Sequence, residues 1–265
     1  MKKTYPTEFV FQTISLIVAI IVVHAIYVLL IRPQADFIVA EQQALMDADQ
    51  NYVQERSVFV IIKDFEQEAC FILMIWAMAI MAYKGAETLR ERRLLQLDLI
   101  PVNDGTKILP EDAREYARQL EALPEREQRL LLPRALLSAL ARFRATRNIQ
   151  DVSSTAHAVA DSESGRLDSE LSMVRYIAWA IPSIGFIGTV RGIGEALAQA
   201  HRAVEGDIAG VTQSLGVAFN STFIALLISI VLMFVLHQLQ LQQERLVLDT
   251  ETYLDHHLIQ HLQVS

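Results

Sequence analysis

The chain has 265 residues, of which 52% are hydrophobic and 20% are charged, and its mean hydropathy is +0.28. This composition is too apolar for an ordinary water-soluble domain and too charged for a protein that lies wholly in a bilayer. We therefore expect one part of the chain in the membrane and another in water. The net charge of -8 and the pI near 5.4 provide no basic excess for binding nucleic acid.

Four apolar runs are candidates for membrane spans. They are Phe9–Ile31, Ala69–Tyr83 with an extension back to Phe65, Tyr176–Val190 and Val217–His237. The first run is long enough to cross a hydrocarbon core of about 30 Å, and it ends at Arg32-Pro33 without a small-residue cleavage pattern. It is interpreted as a retained anchor. The predicted fold is an all-α membrane protein with four transmembrane helices.

Basic residues predict the orientation of these spans. Lys84, Arg90, Arg92 and Arg93 follow the second span, whereas acidic residues outnumber basic ones between the first two spans. Basic residues remain on the cytoplasmic side of a membrane. We therefore expect both termini and residues 84–175 to be cytoplasmic, as in a multi-pass protein of the bacterial inner membrane.

The region between the second and third spans is predicted to be a cytoplasmic helical subdomain. Pro110-Glu111-Asp112 is typical of a helix start and is followed by good helix formers to Leu123, and apolar residues from Leu130 to Phe143 recur at helical spacing. Leu97–Gly105 alternates briefly and ends in Asp-Gly, which is compatible with a turn or hairpin. The charges here indicate solvated helix faces or a surface that meets another protein.

These predictions divide the chain into four segments. Residues 1–83 are an N-terminal transmembrane pair with an extracytoplasmic loop, 84–175 the cytoplasmic subdomain, 176–240 a membrane core and 241–265 a cytoplasmic C-terminal helix.

The third and fourth spans contain no Asp, Glu, Lys or Arg. In the third, Gly185, Gly188 and Gly192 fall on one helical face, which lets a neighbouring helix approach closely. Pro182 removes a backbone donor, so that a carbonyl must be satisfied by a neighbour, a serine or water. The fourth span has small and hydroxyl residues at three-to-four spacing: Ala218, Ser221, Thr222, Ala225 and Ser229. These hydroxyls could serve only to hold helices together.

The two spans together carry a family resemblance. The stretch PSIGFIGTVRGIG, a polar connection that includes Gly206 and Asp207, and the stretch LGVAFNSTFIALLISIVLMF resemble the membrane core of the MotA/TolQ/ExbB proton-channel family, over about Ser172 to Glu244. This resemblance implies a homopentamer around two transmembrane helices of a MotB/TolR/ExbD-like partner, driven by proton or sodium flow. It also implies that Thr189 and Thr222 line the ion pathway, and we place the adjacent Ser221 there with them.

The chain departs from parts of the family in two respects. Val217 stands where the TolQ and ExbB branch has a glutamate, and the four predicted spans are closer to the MotA arrangement. Hydroxyls and carbonyls alone do not make a proton relay, because such a relay needs an ionisable group. We therefore expect a partner helix to supply an Asp.

Other function classes find less support in the sequence. A membrane scaffold without ion conduction is the alternative interpretation, and a small-substrate transporter is a third. No nucleotide-binding loop, nucleophile-base arrangement or metal motif is present, so we expect neither an enzyme nor a cofactor. The lone Cys70 is interpreted as a packing residue, and His24, within the first span, as an imidazole bonded to a neighbouring helix.

Overall fold

A computed structural model describes residues 7–48, 57–97, 99–102, 105–204 and 208–264. The described residues are 87% helical and contain no strands. Eleven α-helices are described: α1 Thr7–Ile26, α2 Arg32–Ala48, α3 Val58–Ile62, α4 Phe65–Leu94, α5 Ala113–Glu121, α6 Glu125–Gln128, α7 Leu131–Thr146, α8 Ile149–Glu170, α9 Ser172–Ala198, α10 Ala200–Val204 and α11 Ala209–His257.

The predicted all-α fold with four candidate spans is confirmed. In the described residues, four helical stretches are long and apolar enough to cross a membrane: Glu8–Met46, Phe65–Leu94, Ile149–Ala198 and Ala209–His261. Each contains one of the predicted runs, and the second begins at Phe65, as the extended prediction has it. Several predictions concern residues outside the described ranges, namely Asp98, Asn103, Asp104, Gly206 and Asp207.

The chain forms two compact units, and the first comprises residues 1–81 and 173–236. Small residues such as Ala19, Ala77 and Ala225 are buried within it, whereas large apolar residues such as Trp179 and Phe186 are exposed. A water-soluble protein does not expose so much contiguous apolar surface. This arrangement fits a unit whose surface meets lipid or other membrane helices.

A π-helical turn, Tyr27–Ile31, lies between α1 and α2. The helix therefore continues from Thr7 to Ala48 with one wider turn in it. Tyr27 and Ile31 are buried with Val23, against Ile62, Phe71 and Ile72. Such turns are rare and occur mostly as single turns within α-helices.

The second unit comprises residues 82–172 and 237–265. Its core contains Leu136 and Phe143 of α7, together with Leu254 and Leu258 from the C-terminal end of the chain. Gly105 has a positive φ of 90°, as in a turn. The isolated bridge described near this turn joins Ile108 to Leu262, so the pairing is with the chain's C-terminal end.

The helices of the second unit follow the sequence prediction closely. Helix α5 begins at Ala113, directly after Pro110-Glu111-Asp112. Helix α7 contains the predicted apolar series except Leu130, which directly precedes the helix. The C-terminal helix extends past His237 to His257, as predicted. The four-segment division of the chain, in contrast, stays a prediction.

Candidate functional site

The faces of small residues on α9 and α11 pack directly against each other. Gly185, Gly188 and Gly192 are all buried. A Cβ added at Gly185 would lie 2.5 Å from the Cβ of Ala225, and one at Gly192 would lie 2.7 Å from the backbone nitrogen of Ala218. The two backbones can therefore approach this closely only because these positions lack side chains.

Pro182 lies inside α9 without ending it. A proline at this position leaves the carbonyl four residues earlier, that of Ala178, without its helical donor. The Ser229 hydroxyl of α11 donates a hydrogen bond to this carbonyl at 3.2 Å. The predicted need for a neighbouring donor is therefore met by the facing helix.

Thr189 and Thr222 meet across the seam between α9 and α11, and their hydroxyls are hydrogen-bonded to each other. Thr222 Oγ1 also lies 3.0 Å from the carbonyl oxygen of Gly185, and Thr189 Oγ1 lies 3.0 Å from that of Ala218. A hydroxyl has one proton and two acceptor lone pairs. One of the two hydroxyl protons lies between the threonine oxygens and a carbonyl accepts the other, so lone pairs on both oxygens stay available to a cation. Both threonines are only half-buried.

Ser221 faces a different neighbour from Thr222. Its Oγ donates to the Val217 carbonyl at 2.8 Å, and it accepts a bond from Gln67 Nε2 of α4 at 3.4 Å. The serine is almost completely buried. Ser221 therefore lies on the α4 side of the seam, next to the threonine pair in sequence but in separate surroundings.

Glu66 and Arg191 form an ion pair that sequence reasoning missed. The Nε of Arg191 is 2.7 Å from Glu66 Oε1, and its Nη2 is 2.9 Å from Oε2, so the pair is bidentate. Arg191 also contacts Glu195, at 3.0 Å. Because Glu66 and Arg191 are 125 positions apart, no local pattern could have joined them. Burial raises the pKa of nearby Asp64 above its ordinary value, although Arg191 and Lys63 act against this shift.

A second polar group joins the first span to α4. The Nδ1 of His24 lies 2.7 Å from Glu68 Oε1, and Arg32 binds the other oxygen of the same carboxylate. Glu68 is buried. The imidazole is thus bonded to a neighbouring helix, as the sequence analysis predicted. Cys70 is also buried, with its Sγ 3.7 Å from the Ile181 carbonyl.

A chain of ion pairs runs through the second unit. Lys84 contacts Glu170 at 2.7 Å, Glu170 contacts Arg166 at 2.6 Å, and Glu163 is shared by Arg166 and Arg134. Lys84 and Glu163 are only 3% and 2% exposed. The interpretation as solvated helix faces is therefore wrong for these two residues. Within the described residues, no group of three or more His, Cys, Asp or Glu side chains is placed to hold a metal ion.

Four helical stretches in the described residues, long and apolar enough to cross a membrane, define a multi-pass helical membrane protein with a tightly packed seam that carries paired hydroxyls. Residues 127–252 match the model of the MotA/TolQ/ExbB proton channel family. The predicted resemblance is thereby confirmed over just under half of the chain, and it begins well before Ser172, within the second unit. This family is one of proton channels and not of enzymes. No curated protein and no solved structure is a significant match to the chain.

Proposed function

We propose that the chain is a stator-type ion-channel subunit of a proton- or sodium-driven motor. Five copies would form a sleeve in the bacterial inner membrane around the transmembrane helices of a MotB/TolR/ExbD-like partner, and each of these helices would carry an ion-binding Asp. The family match supports the channel class. The observation that carries the proposal is the Thr189–Thr222 hydroxyl pair at the seam of α9 and α11.

The Thr189–Thr222 pair can help to bind a cation, but it cannot take up and release protons. Hydroxyl lone pairs can replace some of the water around a cation, but a threonine hydroxyl does not take up and release protons near neutral pH. A carboxylate does so readily, and protonation removes the cost of placing its charge within the membrane. The partner's Asp would therefore act as the carrier, and the two threonines would surround it.

The exposed apolar residues of α9 and α11 support an assembly in the bilayer. Phe186 and Ile187 on α9 and Phe219 and Phe223 on α11 are more than half exposed. In the proposed pentamer these residues contact neighbouring copies, the partner helices or lipid. Both termini and residues 84–175 would face the cytoplasm, because the basic residues follow the second span.

The experiment measures ion flux through the native complex. The complex is captured from its own membrane through a tag on this chain and reconstituted into vesicles, and flux is followed under a pH or a sodium gradient. Thr189→Val together with Thr222→Val should abolish flux while the complex still assembles. Thr189→Ser together with Thr222→Ser keeps both hydroxyls and should retain flux. Thr212→Val is the matched control, because this exposed threonine bonds only its own helix.

Two results would contradict the proposal. The first is undiminished flux through an assembled double-valine complex. The second is a subunit count, by native mass spectrometry or cryo-electron microscopy, of one or two copies instead of five. A wild-type complex that assembles but carries no ion would instead favour the scaffold alternative.

A further inference from the structure

We propose that Glu66, Gln67 and Ser221 form a second cation-binding site, through which a transported proton or sodium ion passes on its way to the Thr189–Thr222 pair. We call these three residues the α4 site. The inference rests on the proposed channel function, and it assigns to this chain a carboxylate of its own in the ion path.

The α4 site is adjacent in sequence to the threonine pair on both helices of the seam. Ser221 directly precedes Thr222, and Gly188 directly precedes Thr189. A Cβ at Gly188 would collide with the Ser221 side chain and would lie 3.1 Å from Glu66 Cγ. The absent side chain of Gly188 therefore leaves the space in which Glu66 and Ser221 approach each other, one residue from the threonines.

Gln67 provides the observation that points to a ligand. The residue is completely buried, and its Nε2 donates to the Ile61 carbonyl at 3.1 Å and to Ser221 Oγ at 3.4 Å. Its amide oxygen has no hydrogen-bond partner. Buried acceptors are almost always paired, so an unpaired one on a side chain that also binds the Ser221 hydroxyl indicates a position where a ligand provides the missing positive charge or donor.

The surrounding charges favour a cation. Glu66 and Glu195 both contact Arg191, and Asp64 lies within electrostatic range of the same guanidinium. Three carboxylates thus face two cationic side chains, Arg191 and Lys63, and the excess charge there is negative. A carboxylate, an amide oxygen and a hydroxyl provide the oxygen ligands that hard cations prefer, and a carboxylate can also relay a proton.

Arg191 gives Glu66 a fixed position in this site. The bidentate pair sets the orientation of the carboxylate, because the planar guanidinium matches both of its oxygens. Arg191 also contacts Glu195, so its positive charge is shared between two carboxylates. Glu66 therefore stays available to a passing cation while its side chain is held in place.

The test uses the reconstituted native complex and two variants. Gln67→Leu removes the unpaired oxygen at similar volume, and Glu66→Gln removes the charge. Each should lower flux about tenfold and raise the half-saturating ion concentration by a similar factor, which corresponds to about 1.4 kcal/mol of binding free energy. Flux under a pH gradient without sodium, and under a sodium gradient at equal pH, identifies the ion. Gln238→Leu and Glu244→Gln, at exposed positions of α11, are the controls and should change neither quantity.

The outcomes separate this inference from the proposed function. If the double-valine variant abolishes flux but Gln67→Leu and Glu66→Gln match the controls, the α4 site is overturned and the channel function stands. If neither set of variants changes flux, both proposals fall. Should either α4-site variant fail to assemble, Ser221→Ala replaces it, because that change removes only one hydroxyl. Normal flux and normal half-saturation in assembled Ser221→Ala would then overturn the site.

Discussion

Ser229 donates a hydrogen bond to the carbonyl oxygen of Ala178 at 3.2 Å, and this is the carbonyl that Pro182 leaves without a helical partner. The backbone hydrogen bond that Pro182 removes from α9 is thus replaced by a hydrogen bond from a side chain of α11. In a bilayer no water is available to donate to this carbonyl, so Pro182 and Ser229 depend on each other.

The Pro182 and Ser229 pair leads to a prediction about coupling. Ser229→Ala should destabilise the detergent-solubilised protein by about 1 kcal/mol, because the Ala178 carbonyl then lacks a donor. Pro182→Ala restores the backbone N–H, so in that background the serine should become dispensable. The measurement is the melting temperature of the two single variants and the double variant. Ser183→Ala is the control, because Ser183 bonds only its own helix, and equal Ser229→Ala losses in both backgrounds would contradict the pairing.

The seam between α9 and α11 predicts a steric effect. Gly188→Ala places a Cβ against the Ser221 side chain, with Ser221 Oγ 2.6 Å away, and should cost about 1–3 kcal/mol as the helices move apart. Gly216→Ala meets no atom within 4 Å and should be neutral or slightly stabilising. Thermal unfolding of both variants checks this prediction. Equal melting temperatures would show that the seam can widen without cost.

The ion-pair chain of the second unit predicts an unequal response to loss of charge. Glu163→Ala removes a buried carboxylate shared by Arg134 and Arg166. Because both guanidinium groups can still reach water, we expect a loss of about 1–3 kcal/mol, less than for a fully buried pair. Glu125→Ala, which breaks an exposed pair with Arg129 at 3.9 Å, should change stability by well under about 1 kcal/mol. The melting temperature should fall further in Glu163→Ala than in Glu125→Ala. A smaller fall in Glu163→Ala than in Glu125→Ala would contradict the role of burial.

The C-terminal end of the chain should be needed for the second unit to fold. Leu258 is completely buried in the core that contains Leu136 and Phe143. Leu258→Ala should therefore cost about 2–5 kcal/mol, as for other large-to-small core changes. Val264→Ala, at an exposed position nearby, is the control. Limited proteolysis of residues 82–172 should be faster in Leu258→Ala only, and equal rates would argue against a structural role for this end.

Local sequence patterns were sufficient to predict the four spans and the helices α5 and α7. Glycine spacing in α9 and the apolar series in α7 depend on residues three or four positions apart, and helical geometry decides which of them share a face. Thr189 and Thr222 were singled out by the family resemblance and not by their spacing. Their direct hydrogen bond, however, depends on how two helices approach each other.

Contacts between distant parts of the chain could not be predicted. Glu66 and Arg191 come from different spans, and the sequence alone presents Glu66 only as a charge near the end of an apolar run. Leu262 lies in the short segment after α11, yet it pairs with Ile108. Both contacts depend on tertiary packing, which leaves no periodic signal in either segment.

The wider turn at Tyr27–Ile31 determines which side chains can meet Glu68. A π-type turn holds one more residue than an α-type turn, and each residue of an α-helix rotates the next by about 100°. His24 and Arg32 are eight positions apart, which in an unbroken α-helix would leave them about 80° out of line. The extra residue restores their alignment, and one carboxylate of α4 binds both. The membrane anchor is thereby fixed in its rotation about its own axis, so that the first span presents a single defined side to the rest of its unit.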